Sequence, residues 1–419
     1  MKHIIHIATV ILAALSGAFS HNAILPADAL ADDASVPVYL GTYTDGQDGA
    51  KGIYLTQLNM RDGSLSEPQL VAEVSNPTFL AKHPTLPRLY AVTEHGQGNG
   101  SPIHAFAIDP ATHALTKLNE QSVPAFGACH LGVFPLPAKA TMVASNANAS
   151  NAEPNYAVIV AFYNDGAVAS LPLTADGQLA PWVSINKHTG NGPTSRQTQA
   201  HAHGVYQTWR MSPVRSVIAV PDLGADKLFF YQPQSDGRIA PSGELAMPPG
   251  SGPRHAAFSP ETLTAFILNE LNSTIYVASI VGSNGEPDAM QIVQTITTLP
   301  EGKVVENNTT AEIFLHPNRR FLYASNRGDD SIALFHFDAH STFDSNAPTQ
   351  RLKFIETTPC GGKTPRSFDL SPDGKWLIVA AQQSDLVTTF RIDPKDGRLT
   401  PTGHQIRVKS PVCVLPVVP

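Results

Sequence analysis

Polar residues that could do chemistry recur at two fixed distances from a repeated proline, about six residues before it and about ten residues after it. The residues on the first side are Thr78, His130, Arg254, Glu312 and Arg366. Those on the second side are Glu94, Asp222, Glu270, Arg327 and Gln382, with Asn269 and Asn326 directly before two of them. In one unit an insertion shifts the register, and the first position falls on the run His201-Ala202-His203-Gly204.

This mixture of side chains suits an anionic, oxygen-rich small molecule. Arginine and histidine donate hydrogen bonds to carboxylate or phosphate oxygens. A glutamate or histidine with a pKa near neutrality can accept a proton from an attacking water. The same charges would also satisfy one another around a water-filled channel, so this structural role stays open for each residue taken singly. The set as a whole favours a binding or catalytic site.

Other chemical motifs are weaker or missing from the sequence. His201 and His203 have the spacing of two metal ligands on one strand face, but no spaced carboxylate or third histidine lies close by. Neither a Gly-x-Ser-x-Gly elbow nor a glycine-rich phosphate loop occurs. We therefore expect no metal and no other cofactor, with a metal at the two histidines as the open alternative.

The elements that must position these residues repeat along the chain. Each unit has an apolar stretch, a proline, a few turn residues and a β-rich run; its prolines are Pro84, Pro135, Pro213, Pro260, Pro317 and Pro372. A second marker, Asp-Gly with Leu or Ile three residues after the aspartate, starts at Asp62, Asp176, Asp236 and Asp396, and Asp-Gly favours hairpin turns. A period of about 55 residues with short β runs is typical of a propeller blade. The sequence therefore predicts an all-β, seven-bladed β-propeller, in which the run Val36 to Thr44 pairs with strands near the C-terminus.

The repeat also predicts where the polar residues meet. In each unit one strand runs to the proline and the next runs back, and antiparallel strands of equal length return to the same level. If the first strand of every blade lines the channel, the two polar positions form a ring around its mouth. Arg254 and Glu270 then lie in one blade, and Glu312 and Arg327 lie in the next.

Composition excludes several classes of protein. Charged residues make up 15% and hydrophobic residues 42% of the 419 residues, which is typical of a globular chain. The net charge is −7 without a long basic run, so we expect no nucleic-acid partner. The three cysteines, Cys129, Cys360 and Cys413, have no CxxC spacing and are expected to be buried thiols.

The N-terminus predicts export. Lys2 precedes an apolar run from Ile4 to Leu15 and a cluster of small residues, which together are typical of a secretory signal. The run is too short to span a bilayer, and no later segment reaches that length. We assign residues 1–30 to a signal peptide and leader and residues 31–419 to a single propeller domain. We expect a monomer without a membrane span, exported to a bacterial periplasm.

Several motifs carry a family resemblance. They are His201-Ala202-His203-Gly204, Val220 to Asp226, Gly252-Pro253-Arg254-His255, Leu268-Asn269-Glu270-Leu271, Ala311-Glu312-Ile313, Tyr323 to Gly328 and Thr364-Pro365-Arg366. Together with Leu40 to Thr44 and Phe390 to Asp393, they make the chain resemble the seven-bladed propeller lactonase family across nearly its whole length. That family contains the bacterial propeller-type 6-phosphogluconolactonase and is related to the fungal carboxymuconate cyclases.

The resemblance implies a function and a set of catalytic residues. It implies a lactone hydrolase that acts on a small anionic or sugar lactone. It also implies catalytic roles for His203 (or His201), Arg254, Glu270 and Arg327, and of these Glu270 or His203 would be the general base. The remaining residues are expected to bind substrate: His130, His201, Asp222, Asn269, Glu312, Asn326 and Arg366.

Alternative functions stay open. The sugar-phosphate reaction takes place in the cytosol, whereas the leader predicts export. Another lactone is therefore the alternative substrate. A lactonizing cyclase would use the same acid and base in reverse, and a metal-dependent lactonase would use the two histidines. A non-catalytic exported propeller is the alternative outside the enzymes, because propellers serve unrelated functions.

Overall fold

The computed structural model describes residues 35–45, 49–95, 98–137, 156–208, 217–281, 289–339 and 351–417. The predicted leader, residues 1–30, lies outside these ranges. Within them, no helix has the length and apolar character that crossing a membrane requires. The described residues form 28 strands in seven four-stranded antiparallel sheets, which confirms the predicted seven-bladed β-propeller.

Each sheet is one blade, and its strands follow one another from the innermost to the outermost. Blade 1 consists of β28 (Pro411–Pro416), β1 (Ser35–Thr42), β2 (Gly52–Asn59) and β3 (Gln69–Glu73). Blade 2 consists of β4 (Leu80–Lys82), β5 (Arg88–Val92), β6 (Ser101–Ile108) and β7 (Leu115–Val123). Blade 3 consists of β8 (Ala128–Pro135), β9 (Tyr156–Phe162), β10 (Ala167–Pro172) and β11 (Ser184–Lys187).

The remaining four blades have the same order. Blade 4 consists of β12 (Tyr206–Gln207), β13 (Ile218–Asp222), β14 (Lys227–Pro233) and β15 (Ile239–Ala246). Blade 5 consists of β16 (Pro253–Ser259), β17 (Thr264–Asn269), β18 (Thr274–Val281) and β19 (Ala289–Thr297). Blade 6 consists of β20 (Thr309–Leu315), β21 (Phe321–Arg327), β22 (Ser331–Phe337) and β23 (Leu352–Pro359). Blade 7 consists of β24 (Pro365–Leu370), β25 (Trp376–Ala381), β26 (Leu386–Ile392) and β27 (Leu399–Arg407), with a short 3₁₀ turn at Gln382–Ser384.

Burial explains the composition of the strands. Each blade packs a neighbour on both faces, so its middle strands read as apolar runs; every residue of Trp376–Ala381 is buried. The outermost strands face solvent and are correspondingly polar, as in Leu115–Val123. Hydrophobic clusters lie between adjacent blades; one joins Tyr90 and Val92 of blade 2 to Val158 and Phe162 of blade 3. The core is therefore a set of interfaces between blades rather than one central mass.

The two chain ends close the ring as predicted. β1 pairs antiparallel with β28, and Val38 stands opposite Pro416 while Leu40 stands opposite Val414. The first and the last strand in the sequence thus share one blade. This pairing covers the edge of β1, which lies between β28 and β2 in blade 1.

The first strands of neighbouring blades contact one another around the axis, as between β4 and β8, β16 and β20, and β24 and β28. These innermost strands carry four of the residues that the sequence placed about six positions before a proline, namely His130, Arg254, Glu312 and Arg366, while Thr78 and His203 lie just before β4 and β12. The hairpins between second and third strands end at the same rim, because adjacent strands are antiparallel. Residues from distant parts of the chain therefore meet at one mouth of the channel.

Candidate active site

A buried carboxylate lies at the centre of this mouth. Glu270 directly follows β17, and its side chain is only 4% exposed. Its Oε1 lies 3.1 Å from Nη2 of Arg196 and 3.2 Å from Nη2 of Arg327. Its Oε2 lies 3.2 Å from Nε of Arg254. Three guanidinium groups thus converge on one glutamate.

Electrostatics keep this glutamate ionised. Burial alone would raise the pKa of Glu270, but the positive charges of Arg327, Arg254 and Arg196 lower it to about 2. Three cations surround one anion, so the cluster carries an excess of positive charge. The Nε atoms of Arg254 and Arg327 are buried and have no acceptor in hydrogen-bond geometry among the described residues. The arrangement therefore favours an incoming anion.

A recurring β-bulge places the arginines of the innermost strands. In β16 the pairing register shifts between Pro253 and His255, so Arg254 is the extra residue. The corresponding shift makes Cys129 the extra residue in β8 and Arg366 the extra residue in β24. A bulge bends its strand and re-aims the side chain of the extra residue. The bulges account for the entry of Arg254 and Arg366 into the mouth.

His203 completes the central cluster. It precedes β12, and its buried Nε2 lies 4.0 Å from Oε2 of Glu270. Its Nδ1 faces the thiol of Cys129 at 3.9 Å, and its ring packs edge-on against Tyr163. Burial lowers the pKa of His203 well below its ordinary value, and the charge of Arg254 lowers it further. His203 is therefore a neutral imidazole at neutral pH.

A second group of polar residues reaches the same mouth from blades 1, 2 and 7. The guanidinium of Arg366 stands over the ring of Tyr43 at 5.2 Å, and its Nη2 lies 3.9 Å from Oε2 of Glu94. The Tyr43 hydroxyl donates to both carboxylate oxygens of Glu94 at 2.9 Å. Burial would lower the pKa of Arg366, but Tyr43, Glu94 and Glu270 raise it. Arg366 therefore adds a permanent positive charge to the mouth.

His130 and Glu312 lie one residue deeper in the channel than Arg254. His130 stacks on Phe79 with 3.8 Å between ring centroids and meets the edge of His255 at 5.2 Å. Oε1 of Glu312 accepts a hydrogen bond from Nδ1 of His255 at 2.6 Å. The expectation of a single ring therefore differs from the structure, which has two layers. The difference arises because His130 and Glu312 lie five residues before their prolines, whereas Arg254 lies six before its own and is the extra residue of a bulge.

Two of the expected substrate-binding residues occupy the adjoining wall of blades 3 and 4. The ring of His201 stacks on Tyr163 at 4.3 Å, and its Nδ1 donates to the carbonyl oxygen of Tyr163. Oδ1 of Asp222 accepts the backbone N–H groups of His201 and Ala225, and Oδ2 lies 2.6 Å from Nδ1 of His188. Asp222 thus holds backbone and a buried histidine, away from Glu270.

The two asparagines lie in the hairpins rather than in the central cluster. Nδ2 of Asn269 donates to the hydroxyl of Thr274 within its own hairpin. Oδ1 of Asn326 accepts from the hydroxyl of Thr298 at 2.6 Å, which joins blade 6 to the end of blade 5. These contacts support the loops that carry Glu270 and Arg327. Substrate binding by the two asparagines stays a prediction.

Sequence reasoning missed Arg196 and His255. Arg196 lies in the loop between β11 and β12, where its Nη2 also donates to the hydroxyl of Tyr163 at 2.9 Å. Nothing in the repeat marks it, because this loop belongs to no repeated strand. His255 is adjacent to Arg254 in the motif Gly252 to His255, and allowing for a bulge at Arg254 would have found it.

Among the described residues, no group of three or more His, Cys, Asp or Glu side chains is arranged to hold a metal ion.

Comparisons with known proteins agree with this architecture. Residues 37–416 match the family described as lactonase, 7-bladed beta-propeller. A 6-phosphogluconolactonase of Bacillus subtilis is 32% identical over 376 residues, which cover 90% of this chain and 97% of that protein. The solved structure of a periplasmic gluconolactonase of Pseudomonas aeruginosa is 28% identical, with a TM-score of 0.73 and coverage of 92% of this chain and 99% of that one.

A further solved structure, of a protein from Lactobacillus plantarum, is 28% identical with a TM-score of 0.74 and covers 92% of this chain and 100% of that one. The family match spans almost the entire propeller, and the curated relative is matched over nearly its full length. These similarities support an enzyme that hydrolyses a lactone. The chain belongs to the seven-bladed β-propeller lactonase family.

Proposed function

We propose that this chain hydrolyses an anionic sugar lactone at the channel mouth, with 6-phosphogluconolactone as the leading candidate substrate. The observation that carries the proposal is the excess of guanidinium groups around Glu270. Arg196, Arg254 and Arg327 contact this single carboxylate, and Arg366 lies nearby with Glu94 as its own partner. Arginine forks match the oxygens of phosphate and carboxylate groups, so a negatively charged substrate would balance the cluster.

The arginines would perform two tasks. Some would hold the anionic group of the substrate and fix the position of the lactone ring. Another would donate to the carbonyl oxygen, where negative charge develops when water attacks. The buried Nε–H groups of Arg254 and Arg327 suit this second task because they are already desolvated and have no acceptor in hydrogen-bond geometry among the described residues. Glu270 would keep both guanidiniums in place.

His203 is the better candidate for the general base. Glu270 already has three guanidinium partners on its two oxygens, and these compete with the proton of a water for the same acceptors. His203 is neutral, and the 4.0 Å between its Nε2 and Oε2 of Glu270 exceeds a hydrogen bond. An attacking water between these two atoms would be in reach of both. An imidazolium formed there would be stabilised by the Glu270 carboxylate.

The proposed reaction balances without a cofactor. A water oxygen bonds to the lactone carbonyl carbon while His203 takes one of its protons. The oxyanion then collapses, the bond between the carbonyl carbon and the ring oxygen breaks, and the ring oxygen receives the proton from His203. The product is the open-chain sugar acid.

The protein would act outside the cytoplasm as a monomer. This proposal depends on the basic, apolar and small-residue pattern of residues 1–30, with residues 31–419 as a single domain. The Pseudomonas relative is described as periplasmic, which agrees with it. An exported enzyme would meet unphosphorylated as well as phosphorylated lactones. Its preference for a phosphorylated substrate must therefore be measured by comparing the two.

The test is hydrolysis by the purified protein of 6-phosphogluconolactone and of unphosphorylated gluconolactone. The product acid is followed by proton release. Both lactones also open slowly in water, so the spontaneous rate without protein is subtracted. The proposal predicts enzymatic turnover of the phosphorylated lactone in preference to the unphosphorylated one, and turnover of the unphosphorylated lactone alone would contradict the choice of an anionic substrate. Absence of turnover above the spontaneous rate for both lactones would contradict it.

The same assay separates the alternatives. Ring closure of a muconate-type diacid without lactone hydrolysis would indicate a lactonizing cyclase. A lactone or sugar acid that raises the melting temperature without being turned over would indicate a binding module. Loss of hydrolysis after treatment with a chelator would indicate a metal-dependent enzyme.

A further inference from the structure

A histidine–glutamate pair lies directly beneath the arginine cluster. The side chains of His255 and Glu312 are 4% and 7% exposed, and Nδ1 of His255 lies 2.6 Å from Oε1 of Glu312. Nη1 of Arg254 lies 3.0 Å from Nε2 of the same histidine. His255 therefore connects Glu312, in blade 6, to Arg254, in its own blade.

The chemistry of the three groups determines the tautomer of His255. A guanidinium can only donate hydrogen bonds, so Nε2 of His255 must accept one from Arg254. The ring hydrogen then lies on Nδ1 and is donated to Oε1 of Glu312. A positively charged His255 would carry hydrogens on both nitrogens and would lose the bond to Arg254.

The contacts of Arg254 show what this bond contributes. Its Nη1 also donates to the backbone carbonyl oxygen of Ala311, and its Nε faces Glu270. Two acceptors on Nη1 fix the plane of the guanidinium from below. The opposite edge of the Arg254 guanidinium, which carries Nε, is thereby directed towards Glu270.

We propose that Glu312 and His255 are positioning residues that hold Arg254 in its active orientation, with Glu312 selecting the tautomer of His255 that can accept from Arg254. This proposal rests on the proposed lactone hydrolysis for its kinetic consequences. It assigns Glu312 a role in orienting the site rather than in touching substrate.

The surroundings keep His255 neutral. The charged and titratable groups that face it are Arg254, Glu312, Arg366, Glu270, Arg327, His203, His130 and Tyr206. Burial lowers the pKa of His255 well below its ordinary value, and Arg254 and Arg366 lower it further. A neutral ring is what the bond from Arg254 requires.

The first test compares two substitutions of His255. His255→Gln keeps one donor and one acceptor in a neutral side chain, whereas His255→Leu keeps bulk without either. We expect kcat/KM to fall at least about 10-fold in His255→Leu and to be largely restored in His255→Gln. His404→Leu, an exposed histidine on the outer strand β27, is the matched control. Equal activities of the Leu and Gln variants, whether high or low, would overturn the proposal.

A double-mutant cycle tests whether His255 acts through Arg254. If it does, His255→Leu lowers kcat/KM in the wild-type background but causes no further loss in an Arg254→Ala background. Independent roles would instead make the two losses multiply. Multiplying losses would overturn the assignment of His255 as a positioning residue for Arg254.

A third readout does not depend on activity. The nitrogen chemical shifts of the imidazole in labelled wild-type protein report the tautomer directly, and His255→Gln identifies the signal. We expect a neutral ring with its hydrogen on Nδ1 at neutral pH. A hydrogen on Nε2, or on both nitrogens, would overturn the proposal even if lactone hydrolysis is confirmed. The expected tautomer without any lactone hydrolysis would refute only the proposed function.

Discussion

Charge balance governs the individual residues of the mouth. Glu270 contacts Arg196, Arg254 and Arg327, and this compensation allows a carboxylate to stay ionised while almost fully buried. The same positive charges that stabilise Glu270 disfavour the protonated form of His203. An anionic substrate would neutralise the guanidiniums, so the pKa values of Glu270 and His203 would both rise. The mouth is thus arranged to become a better proton acceptor when substrate is bound.

The low pKa of His203 predicts an unusual acid limb of the pH profile. A general base works when deprotonated, so a lowered pKa extends activity towards acid pH. We expect kcat/KM to stay constant as the pH falls from neutrality through the ordinary titration range of histidine, and to fall only at more acid values. Rates measured from about pH 4 to about pH 7.5 test this, with His203→Gln as the variant that lacks the limb. A midpoint at or above the ordinary histidine pKa would contradict the assignment.

At the scale of the elements, bulges and hairpin turns set the geometry. The bulges at Arg254 and Arg366 direct their side chains into the mouth. The Asp-Gly turns fasten each outer hairpin to the preceding blade: the hydroxyl of Tyr90 donates to the carbonyl oxygen of Gly177, and that of Tyr323 donates to Gly397. The marker that revealed the repeat therefore also has a role between blades.

Gly397 provides a test of this role. Its φ is +79°, and a Cβ on it would lie 2.6 Å from the ring of Phe321. Gly403 has a nearly equal φ of +81° with open space around it, so it isolates the cost of backbone strain. We expect Gly403→Ala to lower the free energy of unfolding by about 1 kcal/mol and Gly397→Ala to lower it by about 1–3 kcal/mol more. Denaturant unfolding measures the free energy of unfolding of both variants. Equal losses would show that close packing of Gly397 against Phe321 of blade 6 contributes nothing.

The elements also explain what the sequence could and could not predict. The proline repeat brought Arg254, Glu270 and Arg327 to one rim because it follows strand length, which the spacing of the polar residues from the proline reveals. It could not separate His130 and Glu312 from the layer of Arg254, because it treats the fifth and sixth positions before the proline alike and no clear sequence signal marks the bulge at the sixth. Arg196 escaped prediction because its loop lies outside the repeat, and the loop is held by contacts that form only in the folded chain. One of these is the bond from Nε2 of Gln197 to the carbonyl oxygen of Leu223.

The whole molecule depends on joining its two ends. β28 is the innermost strand of blade 1, and it contacts both β24 and β4 across the channel wall. Blade 1 packs on blade 7 through Val36, Val38 and Val414, and Nε1 of Trp376 donates to the carbonyl oxygen of Met60. The cluster at the mouth needs this closure, since Tyr43 follows β1 and Arg366 lies in blade 7.

Removal of β28 should therefore disrupt more than one blade. We expect a chain that ends at Ser410 to lose cooperative thermal unfolding and lactone hydrolysis together, because it exposes the edge of β1 and the apolar faces beside it. A chain that ends at Val417 keeps β28 and serves as the control. Calorimetry of both chains provides the measurement. A native-like transition without β28 would show that the ring does not require closure.

The most direct test of the central claim is the kcat/KM for 6-phosphogluconolactone of Arg254→Ala and Arg327→Ala. Arg238→Ala, which changes an exposed arginine in the hairpin between β14 and β15, is the control. The account predicts that each mouth variant stays folded and loses at least about 100-fold in kcat/KM, while the control keeps the wild-type value. Wild-type turnover in either mouth variant would contradict a catalytic role for the guanidinium cluster around Glu270.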